Sequence, residues 1–322
     1  MFAVYADSLN ADEPLSGLQL GERPDPVAED GWTTVDVKAV SLNHHDVWSL
    51  RGVGLPEDRL PMTLGCDAAG VDEDGTEVVV HAVISDPSWR GDETLDPQRS
   101  LLSERYQGTL AERVVVPRRN VVPKPASLSF EEAACLPTAW LTAYRMLFTQ
   151  SGVTPGGSVL VQGAGGGVAT ALISLAKAAG MRCYVTSRDA KKRERALDLG
   201  AHVALEPGSR LPERVDAVME TVGAATWSHS IKSLRPGGTL VVSGTTSGAQ
   251  PDNVELTRIF FLQLRIHGST MGTREELVGL VNLLDVSGAR PLIDRVLPLD
   301  QARDGFVAMI DGDLFGKVVF SV

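Results

Sequence analysis

The sequence predicts an α/β protein of two units, a doubly wound parallel sheet flanked at both chain ends by β-rich material. Three observations carry this. Short alternating apolar pieces crowd the first third of the chain. From about residue 125 strand and helix signals alternate, and a last strand signal, "GKVVFSV" (316–322), follows a helical stretch. A chain of 322 residues is too long for one ordinary core and suits two domains.

Taken in order, "TTVDVKAV" (33–40), "TEVVVHAV" (76–83) and "AERVVVP" (111–117) alternate like half-buried strands. The polar, Pro/Gly-broken stretch 85–108 reads as a long loop. "SFEEAACLPTAWLTAYRMLF" (129–148) opens with a Ser–x–x–Glu capping box and continues with helical periodicity. "SVLVQG" (158–163), a helix ending at Gly180, "RCYVTS" (182–187), a helix ending at Gly200, "VDAVMETVG" (215–223) and "GTLVVSG" (238–244) complete the βαβ run. These textures set the domains at 1–124 with 288–322, and at 125–287.

Composition narrows the function classes. Hydrophobic content of 43% and charged content of 22% are those of a soluble globular chain, and a net charge of −11 disfavours nucleic acid or an anionic membrane as partner. Three scattered cysteines fit a reducing compartment rather than a disulfide framework. The N-terminal "MFAVYADSLNADEPL" lacks a basic region followed by an apolar one, and no apolar run approaches a membrane span, so a cytoplasmic protein is expected.

"VLVQGAGGGVATALISLAKAAG" (159–180) is the most informative stretch. A strand delivers the chain to Gly163, and Gly165, Gly166 and Gly167 permit a tight turn and close backbone approach. A helix follows whose N-terminus suits a pyrophosphate. Ala169 stands at a fingerprint position that tolerates alanine. This predicts a dinucleotide site. The second strand ends "VTSRDAKKRER", with Ser187 where an NAD-binding acid is expected and Arg188 beside it. A hydroxyl and a guanidinium suit a 2′-phosphate, so NADPH is the expected cofactor. Asp189 reads as the N-cap of the next helix, and Lys191, Arg193 and Arg195 as a solvated helix face.

Ordered segments along the whole chain carry a resemblance. They include "VSLNHHDVWSLRG" (40–52), "LPMTLGCDAAGV" (60–71), "GTLAERVVVP" (108–117), "LPTAWLTAY" (136–144), "VQGAGGGVA" (161–169), "DAVMETVG" (216–223), "LRPGGTLVVSG" (234–244), "RIHGSTMGT" (265–273) and "GKVVF" (316–320). The sequence resembles the medium-chain dehydrogenase/reductases, and within them the zinc-free quinone-oxidoreductase-like branch. The resemblance implies a GroES-like catalytic domain built from both chain ends around a Rossmann domain, an active site in the cleft between them, and hydride transfer from NADPH to a small-molecule acceptor. It implies a homodimer formed through an edge strand, "LRIHGST" (264–270). It also implies cofactor contacts at Thr142, Ala164, Gly165, Gly166, Gly167, Val168, Ser187, Arg188, Lys192, Val222, Gly244, Thr245, Ser269 and Lys317.

Zinc-dependent relatives hold their metal with two cysteines, a histidine and sometimes a glutamate. By the resemblance those ligand places fall on Asn43, Cys66 and Thr138, leaving only Cys66 and Asp67 able to ligate, so no metal is expected. Cys66 then reads as a small, partly buried residue lining the cleft. Without a metal, some donor must meet the negative charge left by hydride transfer. The candidates near the cleft are Asn43, His44, His45, Asp46, Cys66 and Thr138, and none announces itself as the acid. Asp46 also reads as a carboxylate that fixes the 43–48 turn. No tyrosine stands where enoyl reductases of the superfamily often place one. Trp48, Trp140 and Phe260 or Phe261 are equally aromatic pocket walls or core. The expected activity is reduction of a quinone, enone or related activated carbonyl. The alternatives are a zinc alcohol dehydrogenase with atypical ligands and a catalytically silent NADPH-binding sensor.

Overall fold

The computed structural model describes all 322 residues and divides into two compact units, Met1–Leu141 with Met271–Val322, and Thr142–Thr270. No helix is long and apolar enough to cross a membrane. The unit boundaries differ from those expected at 124/125 and 287/288. Helix Phe130–Ala134 packs on the strands Trp32–Ser41 and Asp67–Asp72, and helix Arg274–Ser287 packs on Val121–Pro123 and on the segment Leu136–Trp140. Both helices therefore bury their apolar faces in the β-rich unit.

In that unit the main sheet runs Val121–Pro123, Glu77–Val80, Asp67–Asp72, Trp32–Ser41, Lys317–Ser321, Ile293–Pro298, with Arg113–Pro117 also on Trp32–Ser41. Alternation in Trp32–Ser41 sends Val35 and Val37 into a core that includes Leu42, Leu50, Leu64, Phe306 and Phe320. Burying each such side chain stabilises the fold by roughly 1.5–3 kcal/mol before chain entropy is charged. Register matters for the site: Ser41 pairs with Asp67 on one side and with Val319 on the other, which brings Lys317 close to both. The 85–108 stretch is largely loop, as expected, though Ser100–Leu101 pairs with Val83–Ile84. The helix expected over 129–148 begins with the Ser129–Glu132 capping box but is broken into α and π pieces, the first π piece, Leu136–Trp140, carrying Pro137, which has no N–H to donate.

The second unit is a Rossmann-type sheet. Its six parallel strands run Val203–Leu205, Arg182–Thr186, Ser158–Gln162, Val215–Glu220, Leu234–Val242, Arg265–Gly268. That order reverses direction at Ser158–Gln162, and ligands of such sheets bind outside the carboxyl ends of the strands at this switch point. Arg265–Gly268 is an edge strand. Phe260 and Phe261, 70% and 77% exposed on the short helix Leu256–Phe261, are surface residues rather than core.

Candidate functional site

The carboxyl end of Ser158–Gln162 enters the glycine turn. Gly163 has φ +86°, a conformation that L side chains rarely adopt, and Gly166 faces open space, with no atom within 4 Å of where a Cβ would sit. Gly166 is also the N-cap of the helix Gly167–Ala178, so no side chain covers the helix's first amides. Ala164, Gly165 and Val168 complete this turn and the first turn of the helix. At the ends of the neighbouring strands stand Val222, Gly244 and Thr245, and Thr142 is buried in the same unit. Ser269, just past Arg265–Gly268, donates its N–H to Val242 and keeps a buried hydroxyl oxygen with no partner. Uncapped amides, open space at Gly166 and an unsatisfied hydroxyl fit a dinucleotide.

The end of the second strand behaves as expected in part. Ser187 is half-buried, Arg188 is exposed and its guanidinium makes no hydrogen bond, and the Asp189 carboxylate caps its helix by accepting from the N–H groups of Lys191 (2.7 Å) and Lys192 (3.3 Å). Arg193 departs from the expected solvated role. It donates to the carbonyls of Ser187 (2.7 Å) and Arg188 (3.2 Å) and pairs with Glu206, bracing the turn from behind. Lys192 is half-buried on the same helix. Glu220, unremarked in the sequence, is fully buried. It accepts from the N–H groups of Val222 and Gly223 (2.8 and 3.0 Å), from the Thr226 hydroxyl (2.9 Å) and from the Ser230 hydroxyl (2.6 Å), fixing the loop that carries Val222.

The β-rich unit holds a second polar cluster. Asp67 accepts from the Ser41 hydroxyl (2.6 Å) and the Asn43 amide (2.8 Å), both at Oδ2. Lys317 Nζ donates to the Leu42 carbonyl (2.7 Å) and Asn43 Oδ1 (2.6 Å) and stands 3.3 Å from Asp67 Oδ2. Lys317 is 3% exposed and meets three acceptors with its three protons. Its ammonium serves Asp67, Asn43 and the Leu42 carbonyl. Asp67 Oδ1 and Thr138 Oγ1 are buried without partners, on elements that pack together.

Beside it, His45 Nε2 lies 3.1 Å from Glu104 Oε1, and Nδ1 lies 3.4 Å from Cys66 Sγ and 3.9 Å from Asp46 Oδ1. Burial works against a charged ring, but the carboxylates of Asp46 and Glu104 beside it favour the charge, and the His45 pKa is raised above the usual histidine value. Burial pushes the Cys66 thiol up despite the pull of His45. Cys66 is wholly rather than partly buried, donating to the Leu102 carbonyl (3.2 Å) and packing on Ala82, Val83 and Met271. Asp46 is structural: its two oxygens accept from the N–H groups of Asn43 (2.8 Å) and Gly65 (3.1 Å). The His44 side chain is exposed and makes no hydrogen bond. Trp140 is fully buried and Trp48 lies under the Arg51 guanidinium. The sequence offered no signal for Glu104, which arrives 59 residues after His45 from the long loop.

A catalytic zinc fits these residues poorly. At the implied ligand places Asn43 is turned to Asp67 and Lys317, Thr138 offers only a hydroxyl, and the Lys317 ammonium already brings positive charge to Asp67. His45, Asp46 and Cys66 bring three donor atoms within 4.8 Å of one another. Yet Asp46 serves two backbone amides, His45 Nε2 faces Glu104, and burial favours the thiol over the thiolate a metal requires.

Comparison with known proteins gives a consistent picture. Residues 29–126 match the alcohol dehydrogenase GroES-like domain, and residues 167–285 match the zinc-binding dehydrogenase family. An acryloyl-coenzyme A reductase of Sulfurisphaera tokodaii is 26% identical over 95% of this chain and 97% of its own length. The crystal structure of an NAD-dependent alcohol dehydrogenase superposes with a TM-score of 0.92 at 34% identity, covering 100% of both chains. The structure of a 2-octenoyl-CoA carboxylase reductase, in complex with NADP and 2-octenoyl-CoA, superposes with a TM-score of 0.90 at 26% identity, covering 99% of this chain and 87% of that one.

Proposed function

Because the chain belongs to the medium-chain dehydrogenase/reductase superfamily, we propose that this oxidoreductase is an NADPH-dependent, zinc-independent enzyme passing hydride to a quinone, an enone or a related activated carbonyl. The observation that carries the reading is the turn after the second strand. Ser187 stands where an acid would repel a 2′-phosphate, the Arg188 guanidinium is exposed without a hydrogen-bond partner, and the nearby carboxylates are engaged, Asp189 as a cap and Glu206 with Arg193. The glycine turn would hold the pyrophosphate on the amides after Gly166, and Val222, Gly244, Thr245 and Ser269 would flank the rest of the cofactor. When bound, the nicotinamide supplies the hydride. The relatives named for acryloyl and 2-octenoyl thioesters act on carbonyls conjugated to a double bond, and conjugated acceptors are the class proposed here. In solution the chain is proposed to pair with a second copy through the edge strand Arg265–Gly268, covering Phe260 and Phe261.

The test is a panel of quinones, enals, enones and aldehydes offered to chelator-treated protein of measured metal content while NADPH absorbance is followed. Turnover of at least one acceptor, undiminished by the chelator and without stoichiometric zinc, is the expected result. No turnover, or activity that tracks zinc, contradicts the reading. Gly166→Val is the control: nothing crowds a side chain there, so the variant should fold yet lose NADPH binding.

A further inference from the structure

We propose that His45, held between Glu104 and Cys66, is the proton donor of the reaction, an assignment that rests on the hydride-transfer reading above. His45 is the one ionisable group of its cluster that joins a carboxylate partner to a partly open position. Its side chain is 19% exposed and that of Glu104 is 26% exposed, whereas Asp46, Cys66 and Asp67 are fully buried. The two ring nitrogens face unlike partners. Nε2 is held by the Glu104 carboxylate at 3.1 Å, which orients the ring and stabilises its charge. Nδ1 faces the Cys66 sulfur at 3.4 Å, a weak acceptor, and Asp46 Oδ1 at 3.9 Å, so no strong acceptor within hydrogen-bond distance holds its proton. Glu104 follows Ser103, a non-glycine residue at φ +65° whose hydroxyl lies 3.9 Å from Cys66 Sγ, so the loop that delivers the carboxylate is held in an uncommon conformation beside the thiol.

The groups that face His45 are Asp46 on its own helix, Cys66 just before the strand Asp67–Asp72, and Glu104 from the loop. Behind Cys66, Asp67 and Lys317 offset each other's charge. A bound reduced nicotinamide would supply the hydride, two electrons and one hydrogen, to the acceptor carbon, and the role of His45 is to supply the proton. The pair displaced onto the acceptor oxygen, or onto the α-carbon of an enone, takes the proton from His45 Nδ1. The N–H bond breaks, an O–H or C–H bond forms, the imidazole is left neutral, and solvent restores the proton to the ring.

The test compares wild type, His45→Gln and Glu104→Gln with the best acceptor of the panel, measuring kcat against pH and NADPH affinity by fluorescence titration. The donor must be protonated, so wild-type kcat should fall as pH rises above the raised pKa of His45. His45→Gln should lower kcat at neutral pH by about 100-fold or more and remove that alkaline limb, with NADPH affinity unchanged. Glu104→Gln removes a carboxylate that favours the charged ring, so the limb should move to lower pH. A His45→Gln enzyme with wild-type kcat and an unmoved limb overturns the assignment. If His45→Gln fails to fold, the Glu104→Gln profile decides, a displaced limb supporting the donor and an unmoved one overturning it. Wild type that turns over no acceptor overturns the hydride reading and the donor together, whereas failure of the donor alone appears only in the variants.

Discussion

Asp67 in the β-rich unit and Glu220 in the Rossmann unit are both fully buried carboxylates, and they are satisfied in opposite ways. Glu220 meets only neutral donors, and both of its oxygens are occupied. Asp67 meets an ammonium, crowds three donors onto Oδ2 and leaves Oδ1 without a partner. A closed network rigidifies a loop and has no further capacity. A network left open on one oxygen, beside an unsatisfied Thr138 hydroxyl and the His45–Glu104 contact, retains polar groups for something that arrives. The contrast separates the scaffold of cofactor binding from the place where chemistry is proposed.

The largest effect should come from breaking the charged network. Lys317→Met leaves Asp67 buried and unpaired and should destabilise the protein by about 3–5 kcal/mol in urea unfolding. Glu220→Gln turns two acceptor positions into one and sets an amide N–H against existing donors. It should lose about 1–3 kcal/mol and raise KM for NADPH more than it lowers kcat, because the Val222 loop loosens. A loss for Glu220→Gln larger than for Lys317→Met would break the comparison.

Cofactor choice sharpens it further. Ser187→Asp with Arg188→Ala should reverse a preference for NADPH over NADH, a change of about ten- to hundredfold in relative affinity for one charge-assisted contact. Equal binding of NADH and NADPH by the wild type would remove the role given to both residues. The smallest effect concerns stability and pH. The folded pKa of His45 is raised, so the charged ring contributes stability that is fully present below the ordinary histidine value and is lost as pH rises through the folded one. The wild-type Tm should decline across that window, and His45→Gln should be flatter there.

Most of the fold was legible because strand alternation and the strand–glycine–helix passage at 158–180 are local signals. The Asp189 cap was legible for the same reason. The unit boundaries were not, since helices 130–134 and 274–287 carry apolar faces that the sequence does not assign to a partner. Lys317 with Asp67, and Glu104 with His45, meet only through sheet register and a long loop, 250 and 59 residues apart in sequence. Arg193 was hidden by its charged neighbours, since a run of lysines and arginines does not say which one folds back on the turn.

The most direct measurement is to supply metal-stripped protein with NADPH deuterated at the transferable nicotinamide position, together with a conjugated carbonyl acceptor, and to locate the label in the product. The account predicts one deuterium on the acceptor's β-carbon, or on its carbonyl carbon, at a rate that added zinc does not raise. Product formed without label, or formed only after zinc is restored, would contradict it.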